Sequence, residues 1–239
     1  MSRFEKILFV SDVHYNDRIF RGNDESVALD WLIGIISHEK PDIILSSGDW
    51  DIGFKTAEDF LRITSKVPLI TIHGNHENME ALTKAVNPKL YNRQILLRDC
   101  ELIDFGTFTV TGVNGIISKK RSKKGVPRIK EKEFSKLPEK CPKATFFLTH
   151  EVPALKILAE KIRLTPYTKL VAEVFRKLDV DLILGGHLHI DEYTWYKNGE
   201  FTYLRVDSSQ NHRTYAIIYP KTREIIVKKD REQIDRLFY

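Results

Sequence analysis

The residues that carry chemistry in this 239-residue chain fall into five short clusters. They are Ser11-Asp12-Val13-His14, Gly48-Asp49-Trp50-Asp51, Gly74-Asn75-His76-Glu77, Thr149-His150-Glu151 and Gly185-Gly186-His187-Leu188-His189. Together they offer imidazoles, carboxylates and an amide, a mixed nitrogen and oxygen set that suits Mn, Fe, Zn, Co or Ni better than Ca or Mg. The residues expected to bind metal are Asp12, His14, Asp49, Asn75, His150, His187 and His189. In an extended segment residues i and i+2 point the same way, so Asp12 and His14 can reach one ion together. His187 and His189 can address neighbouring ions from one segment. Gly48, Gly74 and Gly186 permit tight turns and close backbone approach. Any single histidine here could equally be a structural one; the ordered set is what points to metal.

Each cluster follows a short apolar run. The runs are Ile7–Val10, Ile43–Leu45, Leu69–Ile72, Thr145–Leu148 and Leu182–Leu184. Each is rich in Ile, Leu, Val or Phe and is stopped by polar or glycine residues, the pattern of a buried strand. In α/β sheets ligands bind beyond the carboxyl ends of the strands, so the clusters can converge on one site. Helical periodicity lies between the runs, over Ser26–Ser37, Thr56–Lys66 and Pro166–Leu178, the last with Thr165 as N-cap and Pro166 at the first helical position. Leu102–Val110, broken at Asp104-Phe105-Gly106, reads as a hairpin, and so does Tyr193–Val206 around Asn198-Gly199. Tyr215–Tyr219 and Glu224–Val227 flank a turn at Pro220. The expectation is two sheets packed face to face with helices outside, in a single domain over residues 1–239, with the part after about residue 190 in the second sheet.

The motifs DxH, GD, GNHE, a lone His and GHLH, in that order over residues 12–189, resemble the calcineurin-like metallophosphoesterase superfamily. The resemblance implies an α/β fold, a four-layer αββα sandwich of two mixed β-sheets flanked by helices. It implies two divalent transition-metal ions, with Mn the first guess. One ion falls to Asp12, His14, Asp49 and His189, the other to Asp49, Asn75, His150 and His187, with Asp49 bridging. His76 is then the catalytic histidine rather than a ligand. Two divalent ions against the carboxylates of Asp12 and Asp49 leave the site positive even with a hydroxide between them, which favours an anionic phosphoester. The expected activity is phosphoester hydrolysis, of diesters by preference, through hydroxide attack with His76 assisting the leaving group. The rivals are a nuclease of the same superfamily and a catalytically inactive scaffold.

Composition bounds the rest. No apolar run approaches the ~20 residues that cross a bilayer, and Met1–Lys6 is charged rather than signal-like, so a cytoplasmic protein without membrane contact is expected. The net charge of +5 favours anionic partners. Its densest basic run, Lys119-Lys120-Arg121-Ser122-Lys123-Lys124, reads as an exposed loop that nucleic acid could use. Cys100 and Cys141 form no CxxC pattern and read as free thiols. His38 and His73 read as structural, His212 as part of an ordinary loop or of a substrate loop, Asp51 as either a ligand-orienting or a solvated carboxylate, and Trp31 as core.

Overall fold

The computed structural model describes residues 4–239. In chain order the strands of its two large sheets are β1 (Ile7–Val10), β2 (Ile43–Ser46), β3 (Leu69–Thr71), β4 (Ile103–Asp104), β5 (Thr109–Gly112), β6 (Ala144–Leu148), β7 (Val180–Gly185), β8 (Tyr193–Lys197), β9 (Thr202–Val206), β10 (Thr214–Tyr219), β11 (Glu224–Lys229) and β12 (Glu232–Phe238). The first sheet has the order β12-β11-β10-β1-β2-β3 and the second β8-β9-β7-β6-β5-β4. In the first, β1, β2 and β3 run parallel and β10 to β12 antiparallel. In the second, β5, β6, β7 and β9 run parallel, with β4 and β8 antiparallel at the edges.

Side chains alternate across each strand, and that alternation builds the layers. Ile7 and Phe9 of β1 face the second sheet, where Phe146, Leu148, Leu182 and Leu184 meet them. Leu8 and Val10 face outward onto Leu29, Leu32 and Ile36 of the helix Ala28–Glu39 and Phe60 and Ile63 of the helix Ala57–Thr64. On the far side, Phe147, Ile183 and Tyr203 pack under Val171, Val174 and Phe175 of the helix Pro166–Phe175. The parallel strands are buried on both faces, which is why they read as continuous apolar runs. The result is the expected α/β sandwich of two mixed sheets flanked by helices.

Local signals place the helices. Thr56 and Asp59 form a capping box at one N-terminus; Thr165 caps another by accepting from the Thr168 amide, with Pro166 next to it. The first helix ends at Lys40, whose φ of 49° lies in the left-handed region, just before Pro41.

Two expectations need correction. The strands after residue 190 divide between the sheets: β8 and β9 join the second, whereas β10, β11 and β12 extend the first from the open edge of β1. Antiparallel pairing with β1 gives β10 a partner on the other sheet, and no local pattern encodes that choice. Cys100 and Cys141 are joined in a disulfide, their Cα atoms 4.4 Å apart across 41 residues. Cys100 lies at the carboxyl end of β5, where its amide donates to the Gly112 carbonyl at 2.8 Å, and Cys141 reaches it from the end of the short helix Leu137–Lys140 in the outer layer. Among the described residues no helix is long and apolar enough to cross a membrane.

Glu39, nearly enclosed at the end of the first helix, ties that helix to the sheet. It accepts from Lys228 Nζ at 2.5 Å, Tyr215 Oη at 2.9 Å and Lys6 Nζ at 3.2 Å. Burial opposes its charge, but Lys228, Tyr215 and Lys6 outweigh burial and hold it down to about 2. A depressed folded-state value stabilises the fold above the unfolded value near 4.5, and that stabilisation is lost as pH falls toward 2. Glu39→Gln is expected to cost ~2 kcal/mol in urea unfolding at pH 7. The gap from wild type should shrink at pH 3; a gap that stays constant with pH would remove the charge from the explanation.

Candidate metal centre

The site forms where the parallel strands of both sheets end. Past β1 and β2 the two chains stay zipped: the Asp12, His14 and Tyr15 amides donate to the carbonyls of Gly48, Asp49 and Trp50 at 2.9, 3.1 and 3.0 Å. Trp50 is fully enclosed, packs against Phe54 and Phe60, and donates from Nε1 to Thr71 Oγ1 at 2.9 Å. That wedge fixes the Asp49 loop on its apolar side.

The two buried aspartates hold the other loops. Asp49 Oδ1 accepts from the Asn75 and His76 amides at 2.5 and 2.8 Å. Asp12 accepts from the His187 amide, 3.0 Å from each of its oxygens, which joins the first sheet's loop to the second's. Close approach here needs glycine. A Cβ on Gly74 would lie 2.1 Å from Asp49 Oδ1, and one on Gly186 would lie 2.1 Å from Ser11 Oγ and 2.8 Å from Asp12 Oδ2. Asp12, His14, Asp49, Asp51 and His187 all have positive φ, between 49° and 78°. Such conformations are costly outside glycine and collect at functional sites.

Two donor clusters result. Asp12, His14 and His189 form one and Asp49, His150 and His187 the other; within each, the donor atoms lie within 4.8 Å of one another. The clusters touch through Asp49, whose Oδ2 is 3.2 Å from His150 Nε2 and 3.7 Å from His14 Nε2. Asp12 Oδ1 lies 3.9 Å from the Nε2 atoms of His14, His150 and His189 alike. The other ring nitrogens are already engaged. His14 Nδ1 meets Asp51 Oδ2 at 3.1 Å, His189 Nδ1 meets Asp207 Oδ2 at 3.0 Å, and His150 Nδ1 meets the Ser47 carbonyl at 2.7 Å. Those partners orient each imidazole so that Nε2 points into the centre, where His14 Nε2 and His189 Nε2 lie 3.2 Å apart, the arrangement by which metal-binding histidines are usually oriented.

Two further features fit a pair of divalent ions. Asn75 Oδ1 is buried and makes no hydrogen bond, although buried polar atoms ordinarily do, and buried His150 Nε2 has only the Asp49 carboxylate beside it. The field also favours cations. Burial opposes charge on His14, yet Asp51, Asp49 and Asp12 raise it to about 9. Burial likewise opposes charge on His150, and Asp49 and Asp12 raise it to about 10. His187 goes the other way, down to about 3, through burial and the repulsion of His150. Two distinct Asp/His clusters are thus suited to two divalent cations.

All seven expected metal-binding residues and His76 come to this one edge. Asn75 Oδ1 is enclosed, whereas His76 beside it is exposed and lines a cleft of about 180 Å³ with His14 and His189. Asp51 is the orienting carboxylate. Glu77 does not touch the His76 ring: it accepts from the amides of Asp49, Trp50 and Gly74 at 2.7, 3.1 and 3.0 Å, knitting two loops together. His73 bonds the Gly74 carbonyl at 3.0 Å and His38 lies against Glu39, both structural. Sequence reasoning missed Asp207 and Arg205. Arg205 is fully buried and donates to the carbonyls of Leu188 and Asp191, pinning the His187–His189 loop. Asp207 follows β9 as the other clusters follow their strands; the signal was present, but reading β9 only as half of a hairpin hid its parallel pairing with β7.

Two mixed sheets with two histidine and carboxylate clusters at their shared edge define a metal-dependent hydrolase. The chain belongs to the calcineurin-like phosphoesterases, whose family model matches residues 5–191. Solved structures share the fold at low identity. TT1561 of Thermus thermophilus superposes with a TM-score of 0.66 at 17% identity, over 95% of this chain and 99% of that one. A dimetal phosphatase from Danio rerio gives 0.62 at 13% identity, over 100% of both. GAP50, the anchor in the inner membrane complex of Plasmodium, gives 0.56 at 12%, over 98% of this chain and 88% of that one. No curated protein matches the sequence.

Replacing the orienting carboxylates should loosen metal without unfolding the site. Asp207→Asn is expected to weaken Mn²⁺ binding by about 10–100-fold. Calorimetric titration checks this, and an unchanged affinity would reduce Asp207 to a loop contact.

Proposed function

We propose that the chain is a phosphodiesterase. Asp12, His14, Asp49 and His189 would hold one ion and Asp49, Asn75, His150 and His187 the other, with Mn²⁺ the first ion to try. The observation that carries the reading is Asp49 Oδ2, which faces histidines of both clusters and can be shared. When bound, the ions supply Lewis-acid polarisation of the phosphoryl group and activation of water. The chain's own part is to position and to move a proton. The open cleft beside His76 supports a diester, since a phosphate seated at the clusters then has room for a second ester group.

His76 is the proposed proton donor. Its amide is fixed by Asp49, and its ring stands 5.6 Å, centroid to centroid, from the His14 ring. Burial lowers its pKa, with Asp49 pulling the other way, so the protonated ring gives its proton readily to a departing oxygen and is left as neutral imidazole. His76→Ala should keep its metal, measured by elemental analysis. It should lose ~10²–10⁴ in kcat on an alkyl diester and less on bis(4-nitrophenyl) phosphate, whose leaving group is already a stable anion. Equal losses on both substrates would leave His76 a positioning role, and full activity on the alkyl diester would remove it from the mechanism.

A nucleic-acid substrate is a second reading, favoured by the basic segment. Ser122–Lys123 pairs with Val126–Pro127 in a small hairpin, and Lys119, Lys120, Arg121, Lys123 and Lys124 are all exposed. Among the described residues none of the five has a carboxylate partner. Changing them to Gln is expected to weaken single-stranded DNA binding and flatten its salt dependence. Binding that keeps its strength and its salt slope would make the hairpin an ordinary solvated surface.

A further inference from the structure

The cleft beside the metal clusters has two unlike walls. One is the hairpin in which Ile19–Phe20 pairs with Asn23–Asp24. It carries Phe20, 44% exposed, with the Arg18 and Arg21 guanidiniums over its ring, 5.3 and 5.2 Å from the centre. Among the described residues Arg21 has no carboxylate within ion-pair distance, so its charge is free for a ligand. Arg18 next to it is not free: its Nε is 2.5 Å from Glu25 Oε2, and a terminal nitrogen is 3.0 Å from Asp51 Oδ2. Through Asp51, which orients His14, the hairpin is indexed to the metal clusters.

The opposite wall is Ser209 and Gln210, on the loop after β9. Both are nearly enclosed, at 7% and 5% exposure, and both line the cleft. Gln210 Nε2 has no hydrogen-bond partner, whereas the Ser209 side chain is held against the Asp207 carboxylate. The amide is not free to turn over, because Gln210 Oε1 accepts from Arg213 Nε at 3.0 Å and so leaves the NH₂ group as the unpaired end. Buried donors left without acceptors are costly. A contact from Asn23 Nδ2 to Asn211 Oδ1 at 3.3 Å links the two walls.

The pairing of walls selects a chemistry. A part-exposed aromatic ring with guanidinium groups against it stacks flat, electron-rich rings. The buried amide donor opposite requires an acceptor atom on whatever lies between. A lipid chain would leave that donor unpaired, and an alkyl group would use neither wall. We propose that this cleft is a nucleoside subsite: Phe20 and its guanidinium neighbour Arg21 stack the base or cover its sugar-phosphate, and Gln210 Nε2 donates a hydrogen bond to the base. The proposal deepens the phosphodiesterase reading and rests on the clusters as the seat of the phosphate.

The test compares ligands that differ only beyond the phosphate. Mn²⁺-loaded protein is titrated calorimetrically with inorganic phosphate, glycerol 3-phosphate and the adenosine, guanosine, cytidine and uridine 5′-monophosphates. At least one nucleotide is expected to bind about tenfold tighter than glycerol 3-phosphate, the scale of one base stacked on an aromatic ring. Phe20→Ala, at an exposed position, and Gln210→Met, which keeps the volume and removes the donor, should each cut that ratio below about threefold, with thermal melts confirming the fold. Equal affinity for nucleotides and glycerol 3-phosphate overturns the nucleoside subsite while leaving the phosphate seat intact. So does a ratio that survives in both variants. Failure of every ligand, inorganic phosphate included, overturns the phosphate seat and the subsite with it.

Discussion

Asp12 and Asp49 are buried carboxylates, and the rest of the site exists on the terms they set. A buried anion is tolerated only where hydrogen-bond donors and positive charge surround it. Here the donors are backbone amides from other loops: Asn75 and His76 for Asp49, His187 for Asp12. The positive charge is left to the imidazoles and to whatever cations they bind. One requirement therefore fixes the spacing of the loops, the need for glycine at positions 74 and 186, and the electrostatic preference of the centre.

Meeting that requirement places strain in the backbone. Asp12, His14, Asp49, Asp51 and His187 are held at positive φ, a conformation that each would avoid in a free chain. The stiffness comes from below, where β1, β2, β6 and β7 are buried between helix layers and leave the loops nowhere else to go. It also comes from the sides: Glu77 spends its carboxylate on three loop amides, and buried Arg205 grips two loop carbonyls. These groups need touch neither metal nor substrate to be required, because small displacements of Nε2 change whether two clusters can share one oxygen.

The centre is asymmetric in access. His150 is sealed, while His14, His76 and His189 look onto the cleft. An imidazole that must only bind can be enclosed, but one that must pass a proton to a departing group has to meet solvent and substrate. In the proposed mechanism the exposure of His76 beside the enclosed Asn75 Oδ1 would separate those tasks between neighbouring residues.

Much of this was legible in the sequence because it is local. A buried parallel strand must be a short apolar run, and a ligand loop must follow it, so β1, β2, β3, β6 and β7 and their clusters could be read within a residue or two. Helix ends at Thr56 and Thr165 were equally local, since a cap acts on amides two or three positions away. What the sequence left open is what depends on pairs of distant positions. The bond between Cys100 and Cys141, the placement of β10 to β12 on the first sheet, and the partnership of Asp207 with His189 each join segments that no window spans. Which nitrogen of each imidazole points into the centre, and which face of the cleft holds an unpaired donor, are likewise tertiary facts. Residue type determines what a group can bind; only packing against residues far away in the chain determines what it is left free to bind.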